Sequence, residues 1–339
     1  MTPIRTAILG YGRNGSAMHG EALARNDAFQ VVAVCDIDPA RLRQAKERFD
    51  CALYDDYRLM LAEERLDLVV IVTRSSQHCE MTCGALQAGC NVLVTKPWAL
   101  NEAEARRMID AQQSAGKQLL PWLPSRWGSD LRRLKEIIDA GTIGSVFFIR
   151  HSVCSFGTRS DWQTERQYGG GYLLNWGPHL VDPPMVLLGS PVRSVYGRMK
   201  QVINPGDVED VFFGLLTLEN GAFVQVEYTI ALDDLPSWFI QGDGGTITAR
   251  GRQIKILQNT PARPDDPTQF ATMKADETKI TEEEVGADLY GDENKIYIEI
   301  AESLTGGRQY PVTPQSALEL TRVLDAIRTA SEEDRVVKL

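Results

Sequence analysis

Ile4-Arg5-Thr6-Ala7-Ile8-Leu9-Gly10-Tyr11-Gly12-Arg13-Asn14-Gly15 reads as a short buried strand running straight into three spaced glycines. Ser16 to Arg25 can be helical, and Gln30-Val31-Val32-Ala33-Val34-Cys35 reads as a second strand that ends in Asp36. A lone Gly-x-Gly-x-x-Gly says little. Between a strand and a helix, with a carboxylate about 20 positions on, it marks a dinucleotide-binding unit. Gly10 makes the tight turn, Gly12 admits a pyrophosphate to the backbone, and Gly15 lets helix and strand pack. Arg13 and Asn14 lie in the same loop, at a helix N-terminus whose N–H groups favour phosphate. The carboxylate of Asp36 suits ribose hydroxyls and repels a 2′-phosphate. No arginine follows immediately, so NAD is the expected cofactor. Arg41, a little further on, leaves NADP open. The plainer reading is a glycine-rich turn in a nucleotide-free α/β domain.

The alternation continues outward from this unit. Asp67 to Val72 is a continuous apolar run, Gln77 to Ala88 a helix stopped by Gly89, and Asn91 to Val94 another strand. Asn101 with Glu104 fits a capping-box start, Gly116 ends that helix, and Gln118 to Leu120 gives a further strand. Continuous apolar strands alternating with helices mean a doubly wound parallel sheet. Ligands bind at the carboxyl ends of such strands. Thr73, Ser75 and His78 follow one strand end and are expected to line the dinucleotide. Lys96 and Trp98 follow another, on either side of Pro97, and are expected to face a cleft. A surface lysine at a turn is the alternative for Lys96.

Bulk properties narrow the function. The chain has 339 residues and a formal net charge of -10. That length suits two domains, and an acidic chain without a basic stripe is a poor partner for nucleic acid. No apolar run approaches the roughly 18 residues of a membrane span. No signal-like segment precedes the first strand, so the cytoplasm is the expected location. Six cysteines without a Cys-x-x-Cys pair are expected to be buried, reduced thiols, and no metal site is expected.

After Ser129 to Ala140, read as a helix, the grammar changes. Val146 to Val153, Val192 to Lys200, Val208 to Leu218, Ala222 to Ile230 and Thr246 to Leu257 read as longer strands, with a hairpin signal at Glu219-Asn220-Gly221. An open, mostly antiparallel sheet is expected. Helices would cover one face, and a second copy of the chain the other, giving a homodimer or homotetramer. Asn259 to Glu293 reads as a polar, irregular excursion with at most one short strand, and Asn294 to Leu304 and Gln315 to Ala330 as closing helices. Within this half, Gly169-Gly170-Gly171 leads into Tyr172-Leu173-Leu174-Asn175-Trp176-Gly177-Pro178-His179. On a helix, Asn175 and His179 are one turn apart on one face. Trp98, Trp122, Trp127, Trp162 and Trp176 are expected near the cleft, where indole faces stack on sugar C–H groups; ordinary core packing is the alternative for each. Arg126 and His151 are further candidates for substrate contact.

Together these residues resemble the glucose–fructose oxidoreductase / inositol dehydrogenase (Gfo/Idh/MocA) superfamily over essentially the whole length. The matching pieces are Gly10-x-Gly12-x-x-Gly15, Asp36, Thr95-Lys96-Pro97, Asp161-Trp162, Gly169-Gly170-Gly171 and Asn175-x-x-x-His179. The resemblance implies a Rossmann domain followed by an α+β domain with an open sheet, here residues 1–122 and 123–339. It also implies hydride transfer between nicotinamide and a carbon of a sugar, polyol or sugar derivative. Lys96 and His179 occupy the family's catalytic positions. Two departures stand out: Thr95 replaces the usual Glu, and Asn175 the usual Asp. An amide cannot stabilise an imidazolium as a carboxylate does, yet it can donate to and accept from a hydroxyl. The expected mechanism has His179 as general base, Lys96 on the reacting oxygen and Asn175 orienting a hydroxyl. Three other readings within the superfamily remain: a non-catalytic sensor, a NAD-dependent glycosidase, and a reductase of aromatic substrates.

Overall fold

The computed structural model describes residues 2–232, 235–260, 266, 268, 270 and 278–339. The opening stretch forms β1 (Ile4–Leu9), and β2 (Phe29–Cys35), β3 (Ala52–Tyr54), β4 (Leu68–Ile71), β5 (Asn91–Thr95) and β6 (Leu119–Trp122) join it. All pairs are parallel, in the order β3-β2-β1-β4-β5-β6. Ala7, Ile8, Val34, Val69, Val70, Val92, Leu93 and Val94 are fully buried, as expected of strands covered on both faces. The strand order reverses between β1 and β4, and the glycine loop sits at that switch point, where such sheets bind ligands. Asn101 Oδ1 accepts from Glu104 N (2.9 Å), the Glu104 carboxylate accepts from Leu100 N, and Gly116 closes the helix at φ +62°.

The second sheet contains β7 (Val146–Cys154), β8 (Val192–Lys200), β9 (Val211–Leu218), β10 (Phe223–Thr229), β11 (Trp238–Gly242), β12 (Gly245–Arg250), β13 (Gln253–Gln258), β14 (Lys279–Glu284) and β15 (Val337–Lys338). Its order is β14-β13-β12-β11-β7-β10-β9-β8-β15, antiparallel except for the central pair β7 and β10. Two expectations need correction. The run Thr246 to Leu257 is a hairpin, because Gly251 turns at φ +53° and sends the chain back as β13. The strand Trp238–Gly242 was not expected; it follows a polar stretch and is too short for alternation to declare itself. The expected excursion after Asn259 lies partly outside the described residues, and its end carries β14.

The helices Tyr172–Leu188 and Pro314–Glu333 cover one face of the second sheet, and the latter also packs against the helix Glu102–Ala115 of the first half. Glu102 N donates to Asp325, and Trp98 Nε1 to Thr321 Oγ1, across that seam. Among the described residues, no helix is long and apolar enough to cross a membrane, and all six cysteines are free.

Candidate active site

The glycine loop is shaped by close backbone approach. Gly10 stands at φ +88°, and a Cβ there would lie 2.7 Å from the Val72 carbonyl; a Cβ on Gly15 would lie 2.0 Å from the Gly10 carbonyl. At Gly12 a Cβ would meet only the tip of Arg41, at 3.5 Å, so the backbone there is open to a ligand. A phosphate-bearing dinucleotide fits such a cradle. Arg13 and Asn14 are exposed beside it. Asp36, 6% exposed, accepts from Tyr11 N (2.6 Å) and Asp38 N (2.9 Å), and Arg41 Nη1 lies 3.5 Å from the same carboxylate. The acid expected to meet the ribose thus also ties down the loop, with a guanidinium at its side.

Of the residues after β4, two are not ligand-facing. His78 is buried, with Nδ1 2.7 Å from the Pro97 carbonyl and Nε2 3.1 Å from the Thr73 carbonyl. Burial lowers its pKa, against those two bonds. It braces the Lys96–Pro97 turn, whose peptide bond is cis, against the end of β4. Ser75 is buried too, packed beneath Gly169. Thr73, partly exposed, keeps its side chain near Met81. Arg74 stacks over Tyr168, 4.0 Å from the ring centre, as a second clasp between the halves.

Lys96 reaches the second half. Its Nζ donates to both the backbone O and the side-chain Oδ1 of Asn175, each at 2.8 Å. Removal from water pushes its pKa down to about 8, and the charge of Arg159 adds to that. Thr95 leaves Lys96 alone and hydrogen-bonds the Ile71 carbonyl, at 3.0 Å. Asn175 stands in the first turns of the helix Tyr172–Leu188. The glycine triplet before that helix admits other protein groups, not a ligand: a Cβ on Gly170 would lie 2.5 Å from the Gln163 carbonyl, and one on Gly171 would lie 2.4 Å from the Glu209 carboxylate. Glu209 in turn accepts from Leu173 N at 3.0 Å, capping the helix from outside.

One turn beyond Asn175, His179 is partly exposed, and its partner is not Asn175. Ser125 Oγ lies 2.6 Å from His179 Nδ1. Loss of hydration holds the imidazole pKa well below its usual value, with the charges of Lys96 and His151 contributing. The ring stays neutral across the physiological range. Tyr290 meets it edge-on at 5.3 Å between centroids and Trp176 at 5.8 Å, while Trp176 also lies against Tyr228 at 5.3 Å. Ser125 and Tyr290 escaped the sequence reading. Ser125 sits in a short turn without a motif, and Tyr290 lies near the end of the polar excursion; no periodicity flags either.

Other expected contacts are redirected. Arg126 donates from Nε and Nη2 to both oxygens of Asp182, each at 2.8 Å, in a nearly buried pair. It clamps the Ser125 turn to the helix and is not free for a substrate. His151 is buried and stacked on Trp238 at 3.6 Å, and its Nδ1 donates to the Leu180 carbonyl (3.0 Å). Pro184, four residues after Leu180, has no N–H to claim that carbonyl. Burial takes the His151 pKa down to about 3. Trp98, Trp122 and Trp127 are core residues, each 2–3% exposed. Large indole faces there fill the seam under the first sheet, with Trp122 against His19 and Trp127 stacked on Tyr310. Trp162, partly exposed, opens the turn Trp162–Thr164. Trp176 alone of the five lies beside His179.

Comparison with known proteins supplies the context for this geometry. Residues 4–121 match the Gfo/Idh/MocA model described as an oxidoreductase family with an NAD-binding Rossmann fold, and residues 131–248 match a GFO/IDH/MocA C-terminal domain. D-glucoside 3-dehydrogenase of Escherichia coli is 29% identical over 254 residues, 68% of this chain and 72% of that protein. The NADP-dependent scyllo-inositol 2-dehydrogenase of Bacillus subtilis is 25% identical over 350 aligned positions, covering 99% of this chain and 96% of that one. Among solved structures, an NAD-binding protein from Listeria innocua superposes with a TM-score of 0.83 at 26% identity, covering 99% of this chain and 97% of that one.

Proposed function

The chain belongs to the Gfo/Idh/MocA oxidoreductase family, and from that premise we propose that it transfers hydride between a nicotinamide cofactor and a CH–OH carbon of a sugar, polyol or sugar derivative. The observation that carries this reading is the meeting of Lys96, from the carboxyl end of β5, with Asn175 of the other half, one helical turn before the neutral His179. A cation and a neutral imidazole on one floor are what oxidation of an alcohol asks for. The relatives named for glucoside and inositol oxidation support a carbohydrate-like substrate, as do the rings of Trp176 and Tyr290 beside His179.

Residues 1–122 hold the dinucleotide in this account, and residues 123–339 the substrate. Gly10, Gly12, Arg13, Asn14 and Gly15 take the phosphates, and Asp36 the ribose. Bound there, the nicotinamide supplies the hydride acceptor or donor. Asp36 favours NAD, while Arg41 beside it keeps NADP in play. Lys96, cationic below about pH 8, steadies the charge that develops on the substrate oxygen. His179 takes the hydroxyl proton in oxidation and returns it in reduction. Asn175 sets the position of Lys96 with a neutral oxygen where a carboxylate would also have raised its pKa. The uncovered face of the second sheet, with Phe148 against Phe223 (5.1 Å) and Phe239 (6.3 Å) and Leu215 exposed, supports association through that face as a homodimer or homotetramer.

The test is a spectrophotometric screen of polyols, aldoses and sugar acids with NAD and NADP. Reduction of the dinucleotide by at least one of them is expected. Tight dinucleotide binding with no reduction by any would favour a sensor, and cleavage of a chromogenic glycoside without net NADH a glycosidase.

A further inference from the structure

The Ser125–His179 contact has a role that neither the glycine loop nor Lys96 explains. Ser125 is 6% exposed, and its hydroxyl lies 2.6 Å from Nδ1 of His179. Asn175, the residue one turn before His179, has its Oδ1 engaged by Lys96. The duties that one carboxylate would combine are therefore divided: Asn175 holds the lysine, and Ser125 holds the histidine. We infer that Ser125 is the positioning residue for His179, fixing the ring and keeping its resting proton on Nδ1 so that Nε2 is bare toward the substrate. This rests on the proposed role of His179 as the base.

The turn that carries Ser125 is held on three sides. The next residue, Arg126, is clamped to Asp182 by two bonds of 2.8 Å, three residues after His179 on the same helix. Gly128 N donates to the Ser125 carbonyl at 3.0 Å. The segment that presents Tyr290 presses on the turn so closely that a Cβ on Gly128 would lie 2.4 Å from the Leu289 carbonyl, and one on Gly291 2.5 Å from the Pro124 carbonyl. Ser129 Oγ, bonded to the Gly286 carbonyl (2.8 Å), ties the two segments again. The hydroxyl thus has little freedom to leave the imidazole.

The chemistry of the partner matters. His151 faces the Leu180 carbonyl, which only accepts, so its Nδ1 always carries hydrogen. A serine hydroxyl accepts as well as donates. When it accepts from Nδ1–H, Nε2 has a free lone pair. In oxidation the substrate O–H bond breaks, an N–H bond forms at Nε2, and the imidazolium keeps its Nδ1–H on Ser125 Oγ. The imidazole changes only in protonation; the electrons leave the substrate carbon as hydride to the nicotinamide. In reduction the proton returns from Nε2 and Nδ1–H stays where it was. The ring need not turn in either direction.

The experiment is 15N NMR of the full-length chain, labelled at histidine and saturated with NAD. The chain has four histidines, and His179→Gln assigns the resonance. A protonated Nδ1 and a bare Nε2 are expected for His179 in the wild type, and Ser125→Ala shifts the ring toward protonated Nε2. On the substrate found by the screen, Ser125→Ala lowers kcat by about 10–100-fold with KM within about threefold, and Ser125→Thr restores both the tautomer and the rate. A wild-type His179 that carries its proton on Nε2 overturns the inference, as does a Ser125→Ala variant with unchanged tautomer. The spectrum reads Ser125 even if no substrate turns over, whereas that failure would count against the dehydrogenase reading alone.

Discussion

The nucleotide platform and the substrate floor are built from different materials. The platform is backbone: Gly10, Gly12 and Gly15 act by what they lack, and they lie within one loop between β1 and the first helix. The floor is side chains: Lys96, Ser125, Asn175, His179 and Tyr290 come from four separate segments held by clamps such as Arg126–Asp182. A backbone site fails when a methyl is added. A side-chain site fails when a support is removed. The two kinds of failure separate the two regions in experiment.

The largest effect is expected where a support is charged and buried. Arg126→Leu leaves Asp182, 2% exposed in its side chain, without its partner. Loss of such a partner costs about 3–5 kcal/mol. Chemical denaturation should show this drop, with turnover falling as the Ser125 turn loosens. A drop under about 1 kcal/mol would mean the clamp is not a support. On the platform, Gly15→Ala places a methyl 2.0 Å from the Gly10 carbonyl. Dinucleotide affinity, followed by NADH fluorescence, should weaken by about 100-fold or more, as the loop opens to make room. Unchanged affinity would show that the loop does not hold the phosphates.

Subtler changes sharpen the contrast. If Lys96 must be cationic, activity falls as pH rises through about 8, since the ammonium is present below that pKa and lost above it. His179, neutral well below its usual pKa, adds no acidic limb near 6.5. Asn175→Asp puts a carboxylate 2.8 Å from Nζ, and the alkaline limb should move up by about one unit. An unmoved limb would assign it to another group. The smallest effect belongs to Tyr290→Leu, which removes the ring set edge-on to His179. KM should rise by about 3–10-fold with kcat nearly unchanged. A large fall in kcat would place the phenol in the chemistry itself.

The same contrast explains what the sequence disclosed. Glycines between β1 and a helix, followed by Asp36, are contiguous and mean nearly one thing, so the parallel sheet and its cradle were legible. The helix carrying Asn175 and His179 was legible because both lie one turn apart on it. Ser125 and Tyr290 were not, because distant segments bring them to His179 and neither has a local signature. Arg126, Ser75, His78 and Trp98 sat where a ligand was expected but serve as braces, since the seam between the two halves needs polar clasps and large side chains of its own. The hairpin at Gly251 was lost because two apolar strands joined by a short turn read as one.

In the proposed reaction Lys96 and His179 manage proton and charge for a hydride transfer, over a platform that binds dinucleotide without them. Parallel measurement of dinucleotide affinity and substrate-dependent NAD(P) reduction in Lys96→Met and His179→Ala tests it most directly. Near wild-type affinity is expected in both, with kcat reduced by about 100-fold or more. Near wild-type turnover in both variants would contradict it.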